Sequence, residues 1–315
     1  MKRNKHSLSN YKLATMKMGG LYPVGMQHVL PGDTFQHQTS ALLRMSPLVA
    51  PVMHPVQVRI HHWYVPYRLL DADWEDFITQ ADPLTQPMAH TCTPTNTAKG
   101  KLADYFGIPP VTSNLDVLKF PFAAYAMIYN EYYRDQDLQP TEIADDNEDV
   151  LNVSWSKDMF TTARPWTQKG PEVTIPLGEK AYVKAENYSG TVQGANVGYL
   201  ADSGDSKVGI SNGSPNPYYA DLSAATGANI NDVRKAFALQ RYQEARARYG
   251  SRYTEYLRYL GINPSDARLQ RPEYLGGGKQ TISFSEVLQT AEGTNPVGTM
   301  AGHGISAMRS NTQRS

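Results

Sequence analysis

The chain has 315 residues, with 30 basic and 30 acidic side chains and a formal net charge of zero. That length fits one or two domains, and charge balance excludes a protein that coats naked nucleic acid over its whole surface. The single cysteine, Cys92, excludes an intramolecular disulfide framework and suits a reducing compartment. The basic start is followed by no apolar signal core, and no apolar run approaches the roughly 20 residues needed to span a bilayer, so a soluble, cytoplasm-made chain is expected.

Residues 1–20 are polar and basic, end in Gly19-Gly20, and read as an arm preceding a domain over residues 21–315. From Leu21 to Met53, short apolar pieces are broken by Pro23, Pro31, Pro47 and Pro51. Prolines this dense exclude a long helix and demote strands to sheet edges. In "VQVRIHHWY", Val56, Val58 and Ile60 alternate with Gln57, Arg59 and His61, the period of a half-buried strand. His54, His61 and His62 fall in this stretch and raise the question of a metal. Neighbouring side chains on a strand face opposite ways, so His61 joins the polar face and His62 turns toward the interior. No cysteine or H-x-H spacing supports zinc or a cupin-type centre, and no metal site is expected.

"WEDFIT", behind Asp71 and Asp73, reads as a short helix. Its Glu75 and Asp76 stand about 100° apart, as an acid/base pair or, more simply, a solvated helix start favoured by the dipole. "KLADYFGIPP" reads as one helical turn stopped by Gly107. "PFAAYAMIYNEYYRDQDLQP" is the clearest helix of the first half: Phe122, Tyr125, Ala126, Tyr129 and Tyr133 share a face, and Pro140 is the expected stop. "EIADDNED" reads as an exposed acidic loop, and "VTIPL" as a strand. Residues 178–228 turn to Gly, Ser, Asn, Ala and Thr, with few core builders and no phosphate-binding glycine motif, and read as a long surface excursion.

"NINDVRKAFALQRYQEARARYGSRYTEYLRYLG" forms a second helical region, capped by Asn231 or Asp232 and punctuated by Gly250 and Gly261. Arg234, Arg241 and Arg248 recur every seventh residue and drift only about 20° per step. With tyrosines interleaved, they suit phosphate binding and base stacking; the alternative is a solvated face paired with Glu244 and Glu255. Lys2, Arg3 and Lys5 on the arm are the other candidate nucleic-acid contacts. "QTISFSEVLQT" alternates as a strand, and the tail "GTNPVGTMAGHGISAMRSNTQRS" is small, polar and glycine-rich. No G-x-S-x-G, H-E-x-x-H or C-x-x-C occurs, and Cys92, two residues from His90, reads as a half-buried thiol rather than a nucleophile. Neither catalysis nor a cofactor is expected.

The segments "VLPGDTF", "MSPLVAPVMHPVQVRIHHWYVPYRLL", "WEDFIT", "PFAAYAMIYNEYYRDQDL", "RPWTQKGPEVTIPLG" and "GSRYTEYLRYLGINPSDARLQRPEYLGG", in this order, resemble the major capsid proteins of Microviridae, more those of the gokushovirus-like branch than those of the branch infecting enteric bacteria. The resemblance implies a mainly β chain built as a single viral jelly-roll barrel, with long helix-bearing insertions between strands. Residues 178–228 would be a surface protrusion, and copies would form pentamers and close an icosahedral shell around circular single-stranded DNA. It also implies a small basic DNA-binding protein, an internal scaffolding protein and a host-cell receptor as partners, and a place in the virion after assembly in the host bacterial cytoplasm. Family members normally run on past the "GTNPVGTMAGHG" region with further strands, so the barrel is expected to be incomplete at the C-terminal end of this chain. The rival reading is a jelly-roll sugar-binding module or enzyme with His61, Glu75 or Asp76 in one pocket. Gathering of those groups would favour the rival, and their scattering the capsid.

Overall fold

The computed structural model describes residues 4–45, 54–79, 91–95, 97–110, 115–175, 182–185, 218–221, 229–250, 252–263, 270–288 and 300–314. Contacts divide the chain into two compact units, Met1–Thr162 with Leu257–Ser315, and Ala163–Tyr256. The described strands are β1 (Phe35–Arg44), β2 (Gln57–Tyr64), β3 (Thr91–Cys92), β4 (Val117–Leu118), β5 (Tyr182–Ala185), β6 (Tyr218–Asp221), β7 (Glu273–Thr281), β8 (Ser283–Leu288) and β9 (Met300–Arg314). The helices are α1 (Tyr67–Leu70), α2 (Trp74–Thr79), α3 (Leu102–Phe106), α4 (Phe120–Ile128), α5 (Ile230–Tyr249) and α6 (Tyr253–Tyr259), with a π-helical turn, Tyr129–Tyr133, continuing α4. All the strand pairs are antiparallel, in the orders β1-β9-β8, β2-β7, β3-β4 and β5-β6. Sheet with few helices agrees with a mainly β chain. The sheets are small, however, and among the described residues none closes into a barrel.

In the first unit, β1 lies at the edge of its sheet, as the flanking prolines require, and its residues alternate strictly between half-buried and exposed. The small, polar, glycine-rich tail supplies the central strand of that sheet. On β9, Gly304, Ser306, Met308, Ser310 and Thr312 are buried, while Ile305, Ala307, Arg309, Asn311 and Gln313 are exposed. The period is two, but small hydroxyl residues and glycine stand where a strand usually shows Val or Ile. The reason is the close approach of β7. A Cβ on Gly278 would stand 3.2 Å from the Met308 sulfur, and one on Gly276 3.2 Å from the Thr312 methyl. Gly276 also holds φ +136°, where a side chain would be strained, at the bulge between the His62–Gly276 and Trp63–Tyr274 pairs.

The bulge separates two clusters. His62 shares a hydrogen bond of 3.0 Å with Ser310 on β9 and meets His37 of β1 edge-on, ring centroids 4.8 Å apart. His61 faces the other way. Its Nδ1 lies 2.5 Å from the Tyr133 hydroxyl, and Trp63, Tyr133 and Tyr274 ring it. The expected division of the two histidines between faces therefore holds, but the face of His61 is half-covered by the π-helical turn rather than solvated.

A second nucleus forms around α3 and α4. Leu102, Ala103, Phe122 and Tyr125 are its buried centre, with Leu21, Cys92, Phe106, Ile108, Val117 and Leu151 packed against them. Gly107, at φ +87°, ends α3 as expected. The aromatic face read from the sequence is the buried one, but regular helix ends at Ile128 and the π-helical turn at Tyr133, well short of Pro140. There buried Arg134 takes over, its guanidinium donating to the carbonyls of Gln139 (2.9 Å) and Pro140 (3.1 Å) and pairing with Glu142. Tyr125 ties the helix to the chain segments beside it. Its hydroxyl donates to the Leu21 carbonyl and accepts from the Leu151 amide, each at 2.9 Å. Those segments are themselves paired through Leu21 N to Leu151 O at 2.8 Å and Val153 N to Gly19 O at 2.8 Å.

In the second unit, α5 is capped by Asn229, not by Asn231 or Asp232: the Asn229 side chain accepts from the Asn231 amide at 3.1 Å. Gly250, at φ +105°, separates α5 from α6. Gln243, Ala245 and Ala247 are buried, and the Gln243 carbonyl accepts from the Lys169 amide at 3.3 Å. Val173–Ile175 are irregular rather than a strand, and Pro176 and Leu177 fall outside the described residues. Of residues 178–228, only β5 and β6 are described, paired with each other in the register Tyr182 to Asp221.

Two outcomes are expected. Burial raises the Tyr125 hydroxyl to about 12, so it keeps the proton it donates. Tyr125→Phe removes both bonds and strands a carbonyl and an amide; chemical denaturation should show a loss of about 1–3 kcal/mol. Burial, then Arg59, holds His61 below its ordinary value; burial, then His37 and His61, does so for His62. The unfolded chain therefore binds protons more readily than the folded one below about pH 6.5, and stability falls as pH falls through that window. Denaturation midpoints at about pH 7 and about pH 5 should differ less in His62→Gln than in the parent, and an equal difference would refute the linkage.

Candidate nucleic-acid interface and exposed aromatic surface

The groups an enzyme reading needs are scattered. Glu75 and Asp76 are exposed on α2, His54 is exposed ahead of β2, and no described contact joins any of them to His61. His61 and His62 serve different partners on different faces. The Tyr133 hydroxyl and His61 Nδ1 share a hydrogen bond of 2.5 Å. That bond and the rings of Trp63, Tyr133 and Tyr274 hold His61 as a structural element. Cys92 is half-buried, and burial, then Glu148 and Asp116, pushes its thiol upward, away from the thiolate a nucleophile requires. His90 lies outside the described residues.

The arginines chosen by their spacing do share a surface. On a helix of 3.6 residues per turn, Ile230, Arg234, Phe237, Arg241 and Arg248 fall within a sector of about 60°. All five are exposed. Glu244 borders the stripe, accepting from Gln240 at 2.9 Å and standing 3.8 Å from Arg248. The Arg246 guanidinium lies 5.7 Å from the Tyr242 ring centroid, about 110–150° round the helix from the centre of that stripe. α5 carries Arg234, Lys235, Arg241, Arg246 and Arg248 against Asp232 and Glu244, five cations against two carboxylates. This face can neutralise a run of phosphates and offer rings between them. On the arm, Lys5 is exposed, and Lys2 and Arg3 lie outside the described residues.

One feature went unread in the sequence. Residues 154–162 present Trp155, Met159 and Phe160 to solvent, at 74%, 80% and 78% exposure. The segment is built to do so. Asp158 accepts from the amides of Phe160 (2.9 Å) and Thr161 (2.8 Å), the Thr161 hydroxyl accepts from the Asp158 amide, and Lys157 pairs with Asp135 at 2.9 Å. The Asp-x-x-Thr spacing of "DMFT" is the signal that could have found this turn. Large apolar groups held out by a fixed turn are what a protein interface uses.

Over residues 1–314 the chain matches the family described as Capsid protein (F protein). It is similar to Capsid protein VP1 of Bdellovibrio phage phiMH2K, 34% identical across 95% of this chain and 63% of that protein. It is also similar to Capsid protein VP1 of Chlamydia phage 1, 30% identical across 97% of this chain and 67% of the relative. Capsid protein VP1 of Spiroplasma virus 4 is 29% identical across 98% of this chain and 66% of the relative. The chain thus spans about two thirds of the length of these relatives. With its scattered carboxylates and histidines, its basic helix face and its exposed aromatic turn, the chain belongs to the Capsid protein (F protein) family.

Proposed function

We propose that this chain is the major capsid subunit of a small single-stranded DNA phage, acting by self-assembly rather than catalysis. The observation that carries the reading is the family match over residues 1–314. Copies bury exposed apolar side chains such as Trp155, Met159 and Phe160 against one another and close an icosahedral shell around a circular genome. Zero net charge removes one barrier to that assembly. The finer fold is a viral jelly roll, in which the β2-β7 and β1-β9-β8 sheets are two parts of the wall and residues 178–228 an exposed insertion. The virion is its place. Its further partners are the DNA, a small basic DNA-binding protein, an internal scaffolding protein and a host receptor.

The genome contacts in this reading are Lys2, Arg3 and Lys5 on the arm and Arg234, Arg241 and Arg248 on α5, all to the phosphate backbone and without sequence preference. Electron microscopy of the expressed chain, with and without the scaffolding protein, should show closed or partly closed shells; only monodisperse monomers under both conditions would remove the reading. For the helix, Arg234→Gln, Arg241→Gln and Arg248→Gln together should flatten the salt dependence of single-stranded DNA binding by about 2 units of log K per log salt. An unchanged slope would take α5 out of the interface.

A further inference from the structure

We propose that residues 4–18 form a strap that docks on a second copy of this chain, where Lys5 and Lys17 meet the acidic loop carrying Asp145 and Asp146. The inference rests on the capsid reading and deepens it, naming which surfaces of two copies meet; it takes Lys5 out of the genome contacts and leaves Lys2 and Arg3 there.

The segment is tied to its own subunit by its polar groups. The Lys12 ammonium donates to the carbonyls of Pro23 (3.3 Å) and Tyr105 and lies 5.9 Å from the Tyr105 ring centroid. The Tyr105 hydroxyl donates to the Thr15 carbonyl, and the Lys17 amide donates to the Tyr22 hydroxyl at 3.0 Å. Tyr22 and Tyr105 are themselves in contact, centroids 4.8 Å apart. The residues on either side of Lys12 do the opposite. Tyr11 is 91% exposed and Leu13 90%, and Leu8 and Met18 are exposed as well. A segment adapted to water turns its lysine outward and its leucine inward. Here the polarity is inverted, and the inversion is removed once a partner covers Tyr11 and Leu13. No described backbone hydrogen bond is made by Tyr11, Lys12 or Leu13, so the main chain there is also free to pair.

Charge decides the occupant. Residues 4–18 contain Lys5, Lys12 and Lys17 and no carboxylate. In the acidic loop, Glu142 is taken by Arg134, Glu148 by the Thr95 amide and hydroxyl, and Asp149 by Lys101. Asp145 and Asp146 are exposed, and no described basic side chain pairs with them. Every copy of a neutral chain thus carries one basic apolar strap and one acidic acceptor, and no described contact joins the two within a copy. The arrangement is head-to-tail, the type of contact that builds a ring or shell when its rotation closes. A phosphate backbone would satisfy the lysines but would leave Leu8, Leu13 and Met18 uncovered.

A charge exchange tests this in the assembling chain. Lys5→Glu with Lys17→Glu, and separately Asp145→Lys with Asp146→Lys, should each lower the yield of sedimenting particles by about tenfold or more. All four substitutions together should restore it, which a mere folding defect would not allow. A benzophenone side chain placed at position 13 should cross-link to another copy, identified in particles mixed from light and heavy isotope-labelled chains. Particles that form without rescue in the fourfold variant, or cross-links that run only to DNA or within one copy, would overturn the strap and leave the capsid reading standing. A parent chain that forms no particle under any condition would overturn both.

Discussion

Where β7 passes beside β9, the space between the two strands is too small for side chains on one of them. A Cβ on Gly276 or Gly278 would stand 3.2 Å from Thr312 or Met308, tighter than an ordinary contact, and a Cβ on Gly304 would stand 2.9 Å from Ile282. This close approach fixes much else in the first unit. It brings Ser310 within reach of His62 and His37 beside that pair, and it puts the bulge opposite His62. The bulge in turn leaves Trp63 paired with Tyr274, so the rings of Trp63, Tyr133 and Tyr274 gather around His61 on the other side, with Tyr132 against Trp63. One run of glycines therefore positions a polar cluster and an aromatic cluster on opposite faces of the same ribbon.

Tyrosine plays two roles in this protein, and placement separates them. Tyr125, Tyr129 and Tyr132 bury their rings or pack them in aromatic contact, and each spends its hydroxyl on a main-chain carbonyl: Leu21, Asn152 and Pro272 respectively. These are internal ties between distant parts of the sequence. Tyr11, Tyr242, Tyr249 and Tyr253 are exposed instead. A ring with a polar tip tolerates water while it waits and still contributes apolar area when covered. Composition alone announces an excess of tyrosine; only the fold sorts the internal ties from the outward rings.

What could be read in advance follows from contrast between neighbouring residues. β2 was legible because Val56, Val58 and Ile60 alternate with polar groups, and the buried face of α4 because Phe122, Tyr125, Ala126 and Tyr129 repeat at helical spacing. β9 was not legible, since Ser306, Ser310 and Thr312 differ too little in polarity from Asn311 and Gln313 across the strand. β7 was hidden by Gly276, Gly277 and Gly278, which normally weaken a strand and here allow another one to approach. The helix end after α4 depends on Arg134 reaching over the following loop, a tertiary choice that pre-empts Pro140. On the functional side, seven-residue spacing was enough to place Arg234, Arg241 and Arg248 on one face. The direction in which Lys12 points was beyond the sequence, because it depends on the carbonyls of Pro23 and Tyr105.

The pairing of β1 with β9 also sets an order of events in time. Phe35 takes its ladder partner from Arg314, and Arg44 from Ile305. At a synthesis rate of about 5–20 residues per second, β1 leaves the ribosome tens of seconds before the strand that will lie beside it. During that interval its edge is unpaired and its half-buried face uncovered, a state that invites pairing with other nascent chains on the same message. Closing so long a loop is also slow relative to local helix formation. The α3–α4 nucleus, whose contacts fall largely within residues 21–151, can form first and hold the early chain compact. The sheet that carries His37 and Ser310 is completed only after synthesis has reached residue 314, so a product released before that point lacks this surface.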